Sequence, residues 1–282
     1  MRNNVDTDLL IQNIVDEIKT VSGVKAVVLG GSRARGTHTP SSDIDLGIYY
    51  DPSQPLDLDA LGKVATQLDD EHRMDVITGF GGWGPWINGG GWLRIQSLPV
   101  DFLYKDLDKI KSYIDACLNG KVEIFYQGGH PHGFVTSIYL GEIALCKPLY
   151  DPEGIIAELK GKVTPYPEAL QKAIFYSFAW EIDFSVMIAR KSIERADVHY
   201  AAGSCFRGVM CMLQVLFALN KEYWMNEKGA LAITDRFEIK PADFRNRVGE
   251  IYKLLDASPE TIERSVMLLQ GLSEDVYRLL PK

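Results

Sequence analysis

Gly30-Gly31-Ser32-Arg33-Ala34-Arg35-Gly36-Thr37-His38-Thr39-Pro40-Ser41-Ser42-Asp43-Ile44-Asp45-Leu46 is the stretch on which the reading of this chain turns. Ahead of it, Val24 to Leu29 is a short apolar run, the pattern of a buried strand. The glycine turn breaks that strand and opens a short helix. After a polar loop, Asp43 to Tyr49 reads as a second strand. Side chains alternate faces along a strand, so Asp43 and Asp45 share one face while Ile44 and Leu46 point into the core. Two carboxylates side by side repel unless a cation lies between them. An oxygen-only pair suits Mg2+, which commonly takes one or two carboxylates together with substrate phosphates. The glycine turn supplies backbone N–H donors at a helix start, an arrangement that suits a phosphate. A phosphate cradle and a carboxylate pair a few residues apart suggest a site for a metal and a nucleoside triphosphate. The plain alternative is a glycine turn followed by a strand with an acidic outer face.

The segments Gly31-Ser32-Arg33-Ala34-Arg35-Gly36 and Ser42-Asp43-Ile44-Asp45-Leu46 resemble the signature of the nucleotidyltransferase superfamily typified by DNA polymerase beta. The Arg-Ala-Arg-Gly version is most similar to bacterial small nucleotidyltransferases and antibiotic nucleotidyltransferases with a C-terminal helical domain. The resemblance covers about the first third of the chain. It implies a mixed-sheet α/β (α+β) domain, with Asp43 and Asp45 as metal-binding catalytic carboxylates and Gly31, Ser32 and Arg35 on the nucleotide. It also implies a third carboxylate on a later strand. Asp101, in Val100-Asp101-Phe102, matches that place; Asp75, in Met74-Asp75-Val76, competes for it. Asp101 is preferred because a hairpin precedes it, and either residue is also consistent with a carboxylate on an edge strand facing water.

The chain has 282 residues, enough for two domains. Its 46% hydrophobic and 24% charged composition is that of a globular protein. Net charge is −8, with a pI near 5.2, which argues against a long nucleic acid as partner and suits a cationic small molecule. The apolar stretches read as too short for a membrane span. The polar start Met1 to Asp8 has no signal-peptide core, so a cytoplasmic location is expected. Four cysteines, Cys117, Cys146, Cys205 and Cys211, lack metal or redox spacing and read as reduced structural thiols.

Along the chain, helices are expected over 6–20, 57–69, 106–118 and 136–146, and strands over 72–78, 92–95, 100–104 and 122–126. Pro148 to Pro152 reads as a turn that begins a short helix. Between Gly79 and Trp92, seven glycines and three tryptophans form either a substrate-facing loop or a connection folded over the sheet edge. His130-Pro131-His132 invites a metal reading, but no third and fourth ligand stand at suitable spacing, which favours a plain loop. After Thr164-Pro165-Tyr166-Pro167 the strand signals stop. Domains are therefore expected at 1–162, the nucleotidyltransferase part, and 163–282, an all-helical bundle with helices over 168–190, 196–220, 242–256 and 259–280.

Within the bundle, Lys228 sits in a helix connection, Tyr223 to Ala230. In antibiotic nucleotidyltransferases of this kind such a lysine reaches the triphosphate, and the resemblance extends that role to Lys228; the alternative is a plain surface turn. Glu181, Asp183, Arg195, Asp197, His199 and Arg207 read either as the lining of an interdomain cleft or, taken singly, rather as the wet faces of bundle helices. The resemblance as a whole implies a Mg2+-dependent transferase. It would move a nucleoside monophosphate, AMP from ATP by default, to a hydroxyl of a small-molecule acceptor, with release of pyrophosphate. Alternatives are a non-catalytic, antitoxin-like member and an RNA-tailing enzyme. The oligomeric state is not legible.

Overall fold

The computed structural model describes residues 6–281. Met1 to Val5, part of the polar start, lie outside them. Two compact units are distinguished: residues 1–115, 126–129 and 139–165, and residues 116–125, 130–138 and 166–282. The division is therefore not a single cut near residue 162. Two short segments, 116–125 and 130–138, leave the N-terminal half to join the helical unit, because chain order does not decide which core a loop packs on.

The first unit opens with α1 (Thr7–Ile18), capped by Asp6, whose carboxylate accepts from the Leu9 N–H at 3.1 Å. In chain order there follow β1 (Val24–Leu29), α2 (Gly31–Arg35), β2 (Ile44–Tyr50), α3 (Leu58–Leu68), β3 (Gly90–Ile95), β4 (Leu98–Asp106), α4 (Leu107–Leu118), then β5 (Ile124–Phe125) and β6 (Phe134–Val135), which belong to the helical unit, and α5 (Ile138–Leu145), β7 (Lys147–Tyr150) and α6 (Ile155–Val163). Five strands form a mixed sheet in the order β3-β4-β2-β1-β7. Only the β2 and β4 pair is parallel. Alternation along the strands sorts the two faces. Ile44, Leu46 and Ile48 of β2, Val100, Phe102 and Tyr104 of β4, and Leu93 and Ile95 of β3 are buried in one core with Ile14 and Ile18 of α1 and Leu61 of α3. Truncating a fully buried ring such as Phe102 to alanine would cost about 3–5 kcal/mol. The residues between them on β2 and β4, Asp45 and Asp101, take the opposite face.

Two expectations fail here. His72 to Thr78 is not a strand: only Ile77 makes an isolated bridge, to Gly91. The β3–β4 hairpin holds that edge of the sheet, and this segment runs outside it as a loop. Lys147 to Tyr150 is not a turn but the strand β7, with Pro148 opposite Val28 of β1. A proline lacks an N–H to donate, which an edge strand tolerates, so the proline signal misleads.

The helical unit contains α7 (Glu168–Arg190), α8 (Val198–Leu219), α9 (Ala230–Thr234), α10 (Phe244–Lys253) and α11 (Pro259–Leu279), besides the β5/β6 ribbon. The helix α8, capped by Asp197, packs along α7 and is buried almost all round from Ser204 to Ala218. Its 22 residues are long and apolar enough to cross a membrane by length and composition, contrary to the reading of short apolar stretches. Here that apolarity is explained by its place at the centre of the bundle.

Candidate active site

The glycine turn is built onto Asp45. The Gly30 N–H donates to the Asp45 carbonyl at 2.8 Å, which extends the β1–β2 pairing by one residue. Gly31 then turns into α2 with φ +58°, a left-handed conformation. A Cβ added there would stand 1.8 Å from Asp45 Oδ2, so only glycine leaves room for that carboxylate. Ser32, half-buried, follows within α2, and Gly36 closes the helix with φ +72°. Arg33 is buried. Its Nε donates to the Asp43 carbonyl at 3.1 Å and its Nη2 to the Ser42 carbonyl at 2.8 Å. Arg33 therefore sets the backbone of the second strand's entrance. Arg35 is half-buried two residues on, near the helix end.

In the parallel pairing of β2 and β4, Asp45 stands opposite Asp101. In the antiparallel pairing of β3 and β4, Asp101 stands opposite Trp92. One row thus crosses the sheet on a single face: Trp92, Asp101, Asp45, then the glycine turn. Asp43 lies just ahead of β2. It lines, with Asp101, Trp92, Arg94, Arg73 and Glu71, a cleft of about 510 Å³. Asp75 is exposed in the loop before Val76 and is not in this row. Of the two carboxylates left open by sequence, the structure brings Asp101 to Asp45.

The sequence singled out neither Arg73 nor Arg94. Arg94 alternates with buried Leu93 and Ile95, so it shares the face of Trp92, and the period of two could have found it. Arg73 is fixed by Asp69, a fully buried carboxylate at the end of α3. Arg73 Nη2 donates to Asp69 Oδ1 at 2.6 Å and Arg73 Nε to Asp69 Oδ2 at 2.9 Å, and the Arg94 N–H donates to Asp69 Oδ1 at 2.9 Å. The Arg73 guanidinium holds the Asp69 carboxyl well below the usual carboxylate range, against the opposing effect of burial. Arg73 Nη2 also donates to the Trp92 carbonyl at 3.2 Å, tying the arginine to the edge strand.

The Gly79 to Trp92 loop is anchored by its aromatic residues. Trp83 stacks on Trp92 with centroids 4.7 Å apart, and Trp86 meets Tyr113 edge-on at 5.4 Å. Gln127 Nε2 donates to the Trp83 carbonyl at 2.6 Å and the Tyr139 hydroxyl to the Trp86 carbonyl at 2.9 Å. Phe80 packs 5.0 Å from Tyr50. Of the three tryptophans only Trp92 lines the cleft, and 64% of its surface is exposed.

The donor set Asp43, Asp45 and Asp101 consists of carboxylate oxygens, a chemistry that suits Mg2+. Among the described residues no three His, Cys, Asp or Glu side chains are gathered into a metal-binding group.

In the helical unit, Lys228 is exposed in the turn before α9. Its neighbour Glu227 anchors that turn by accepting from the His132 N–H at 2.7 Å, and lies 3.4 Å from His130 Nδ1. Arg207 bonds Glu181 through both Nε and Nη2 and donates to the His132 carbonyl at 3.1 Å. Glu181 and Arg207, read as wet helix faces, are instead a bidentate pair beside buried His132. Burial, then the neighbouring Arg207 cation, pushes the His132 imidazole down to about 4.

Residues 11–82 match the nucleotidyltransferase domain family, and residues 137–228 match a domain of unknown function (DUF4037). No curated protein matches the chain. Among solved structures, a nucleotidyltransferase-like protein from Exiguobacterium sibiricum 255-15 is similar at 11% identity. That similarity covers 95% of this chain and 74% of that one, with a TM-score of 0.45. Residues 11–82 thus carry a nucleotidyltransferase-type domain, the part of the chain for which the match speaks. The matched stretch spans the glycine turn, Asp43 and Asp45, and ends before Asp101. Nucleotidyl transfer is thus the class of reaction that this domain supports.

Proposed function

We propose that the chain transfers a nucleoside monophosphate, AMP from ATP, to a hydroxyl of a small-molecule acceptor, with release of pyrophosphate. The observation that carries this reading is the row across the sheet, in which Asp45 faces Asp101 and lies directly beneath the glycine turn. The turn offers backbone N–H groups to the triphosphate on the side where Asp45 presents its carboxylate. Gly31 and Ser32 would bind the β- and γ-phosphates, with Arg35 as a further phosphate contact. Asp43, Asp45 and Asp101 are the residues that would hold Mg2+. When bound, that ion would neutralise the triphosphate and favour in-line attack at its α-phosphorus. Asp101 lies between the β2 carboxylate and Trp92, which supports it as a candidate to take the proton of an acceptor hydroxyl held over the edge strand. Incubation with ATP labelled at the α-phosphate, Mg2+ and a pool of candidate acceptors tests the reading. A labelled adduct by mass spectrometry, with one pyrophosphate per adduct, is expected. If neither adduct nor pyrophosphate forms with any pool, the non-catalytic alternative replaces it.

A further inference from the structure

One wall of the cleft is the edge strand β3, which has an unusual surface. Trp92 gives one ring face to Trp83 and keeps 64% of its surface open. Two residues along the same strand face stands Arg94, exposed, whose side chain has no hydrogen-bond or ion-pair partner among the described residues. Arg73 spends Nε and Nη2 on Asp69 and the Trp92 carbonyl, which leaves Nη1 uncommitted among the described residues. Asp69 is fully buried beneath this edge, so it fixes Arg73 without itself reaching a ligand. An exposed flat ring beside a guanidinium fork is the chemistry that holds a planar molecule carrying a carboxylate or phosphate.

Taking the proposed transfer as given, we infer that the acceptor is a small hydroxylated aromatic anion, seated with its ring on Trp92 and its negative group on Arg94 and Arg73. The spacing supports this. Trp92 stands opposite Asp101, which puts a ring on the tryptophan beside the carboxylate proposed to take the hydroxyl proton. Arg94 is two residues further, about 7 Å along a strand, close to the span from a hydroxyl to an acid group across one benzene ring. The cleft of about 510 Å³ suits a small molecule rather than a chain. These two guanidiniums set the inference apart from the cationic acceptor that the net charge of −8 suggests. Net charge averages the whole surface, whereas the ligand meets only the cleft, where Arg73 and Arg94 lie at the β3 edge and Asp43, Glu71 and Asp101 line the rest.

Three probes share a ring and a para-hydroxyl and differ in charge: 4-hydroxybenzoate, 4-hydroxybenzamide and tyramine. Their binding is measured by calorimetry on the full chain, with Mg2+ and a non-hydrolysable ATP analogue present. 4-Hydroxybenzoate is expected to bind at least about tenfold tighter than tyramine, the scale of one charge-assisted contact. Arg94→Gln should erase most of that preference, and Trp92→Ala should weaken the benzoate and the benzamide alike. The rise in Tm with Mg2+ and ATP should persist in both variants. Tightest binding of tyramine, an anion preference intact in Arg94→Gln, or no binding of any probe would overturn the inference. So would loss of the ATP effect in Trp92→Ala, which would make this edge the donor's own seat. Binding of an oligoadenylate with steep salt dependence, abolished by Trp92→Ala, would replace the small acceptor with a nucleic acid. Absence of the ATP effect in the unmutated protein would instead remove the underlying transfer reading.

Discussion

Asp45 Oδ2 occupies the place where a side chain on Gly31 would begin: a Cβ there would stand 1.8 Å away. The glycine turn and the carboxylate strand therefore form one packed unit. Gly31→Ala must either shift the turn or displace the Asp45 carboxylate, and it also places alanine at φ +58°. Loss of turnover is expected together with a stability cost of about 1 kcal/mol or more. ATP with Mg2+ should no longer raise Tm in the variant, because the cradle and the carboxylate are disturbed together. An unchanged ATP effect would remove the cradle.

The carboxylates separate by position. Asp43→Asn, Asp45→Asn and Asp101→Asn should each lower turnover by roughly 100-fold or more, the scale of losing a main electrostatic contributor. Asp75→Asn should leave it intact, since Asp75 lies in an exposed loop outside the row. Stability in the Asp45 and Asp101 variants should hold or rise, because like charges opposed across two strands are unfavourable. Normal turnover in Asp101→Asn with loss in Asp75→Asn would reverse the assignment.

Asp69→Asn should act through Arg73. It removes the charge from a fully buried carboxylate that accepts from Arg73 and from the Arg94 N–H. Breaking one partner of a buried pair costs about 3–5 kcal/mol; here Arg73 keeps access to water, so a loss of about 1–3 kcal/mol is expected. The pH dependence follows from the lowered folded-state value of Asp69. Its contribution is complete above the unfolded value near 3.9 and declines as pH falls below it. Urea unfolding at pH 7 and pH 3 checks this: the gap between native protein and variant should narrow at the lower pH.

His132 predicts a second pH window. Its folded value is depressed to about 4, below the unfolded value near 6.5. Between those values the unfolded chain binds the proton and the folded chain does not, so stability falls as pH drops through the window. One proton corresponds to a slope of about 1.4 kcal/mol per pH unit. His132→Gln should flatten the slope between pH 6 and pH 4.5 relative to the unmodified protein. Identical slopes would mean that His132 is not buried in its neutral form.

The site was legible where its residues are close in sequence. The glycine turn and the Asp43 and Asp45 pair lie within fifteen residues, and strand alternation alone sends Asp45 away from the core. Asp101 needed the hairpin, since nothing local separates it from Asp75; the pairing of β2 with β4, fifty-odd residues apart, makes the difference. Arg73 and Arg94 were invisible as partners because a buried aspartate at the end of a helix unites them. The β7 strand was hidden by a proline that an edge position accepts. His132, Glu181 and Arg207 read as loop and wet helix faces, since no sequence period reports that they meet within the helical unit.

The hairpin between β3 and β4 turns in two residues, Gln96 and Ser97, both at positive φ. Their N–H groups donate to the two oxygens of the Asp70 carboxylate at 2.8 and 2.7 Å. That clamp works as a ruler: it meters how many residues separate the turn from Asp101. Slip the count by one and Val100 or Phe102 takes the place of Asp101, while the carboxylate is driven into the hydrocarbon interior. An insertion at this exposed corner would silence chemistry several residues away without altering a single group that touches substrate.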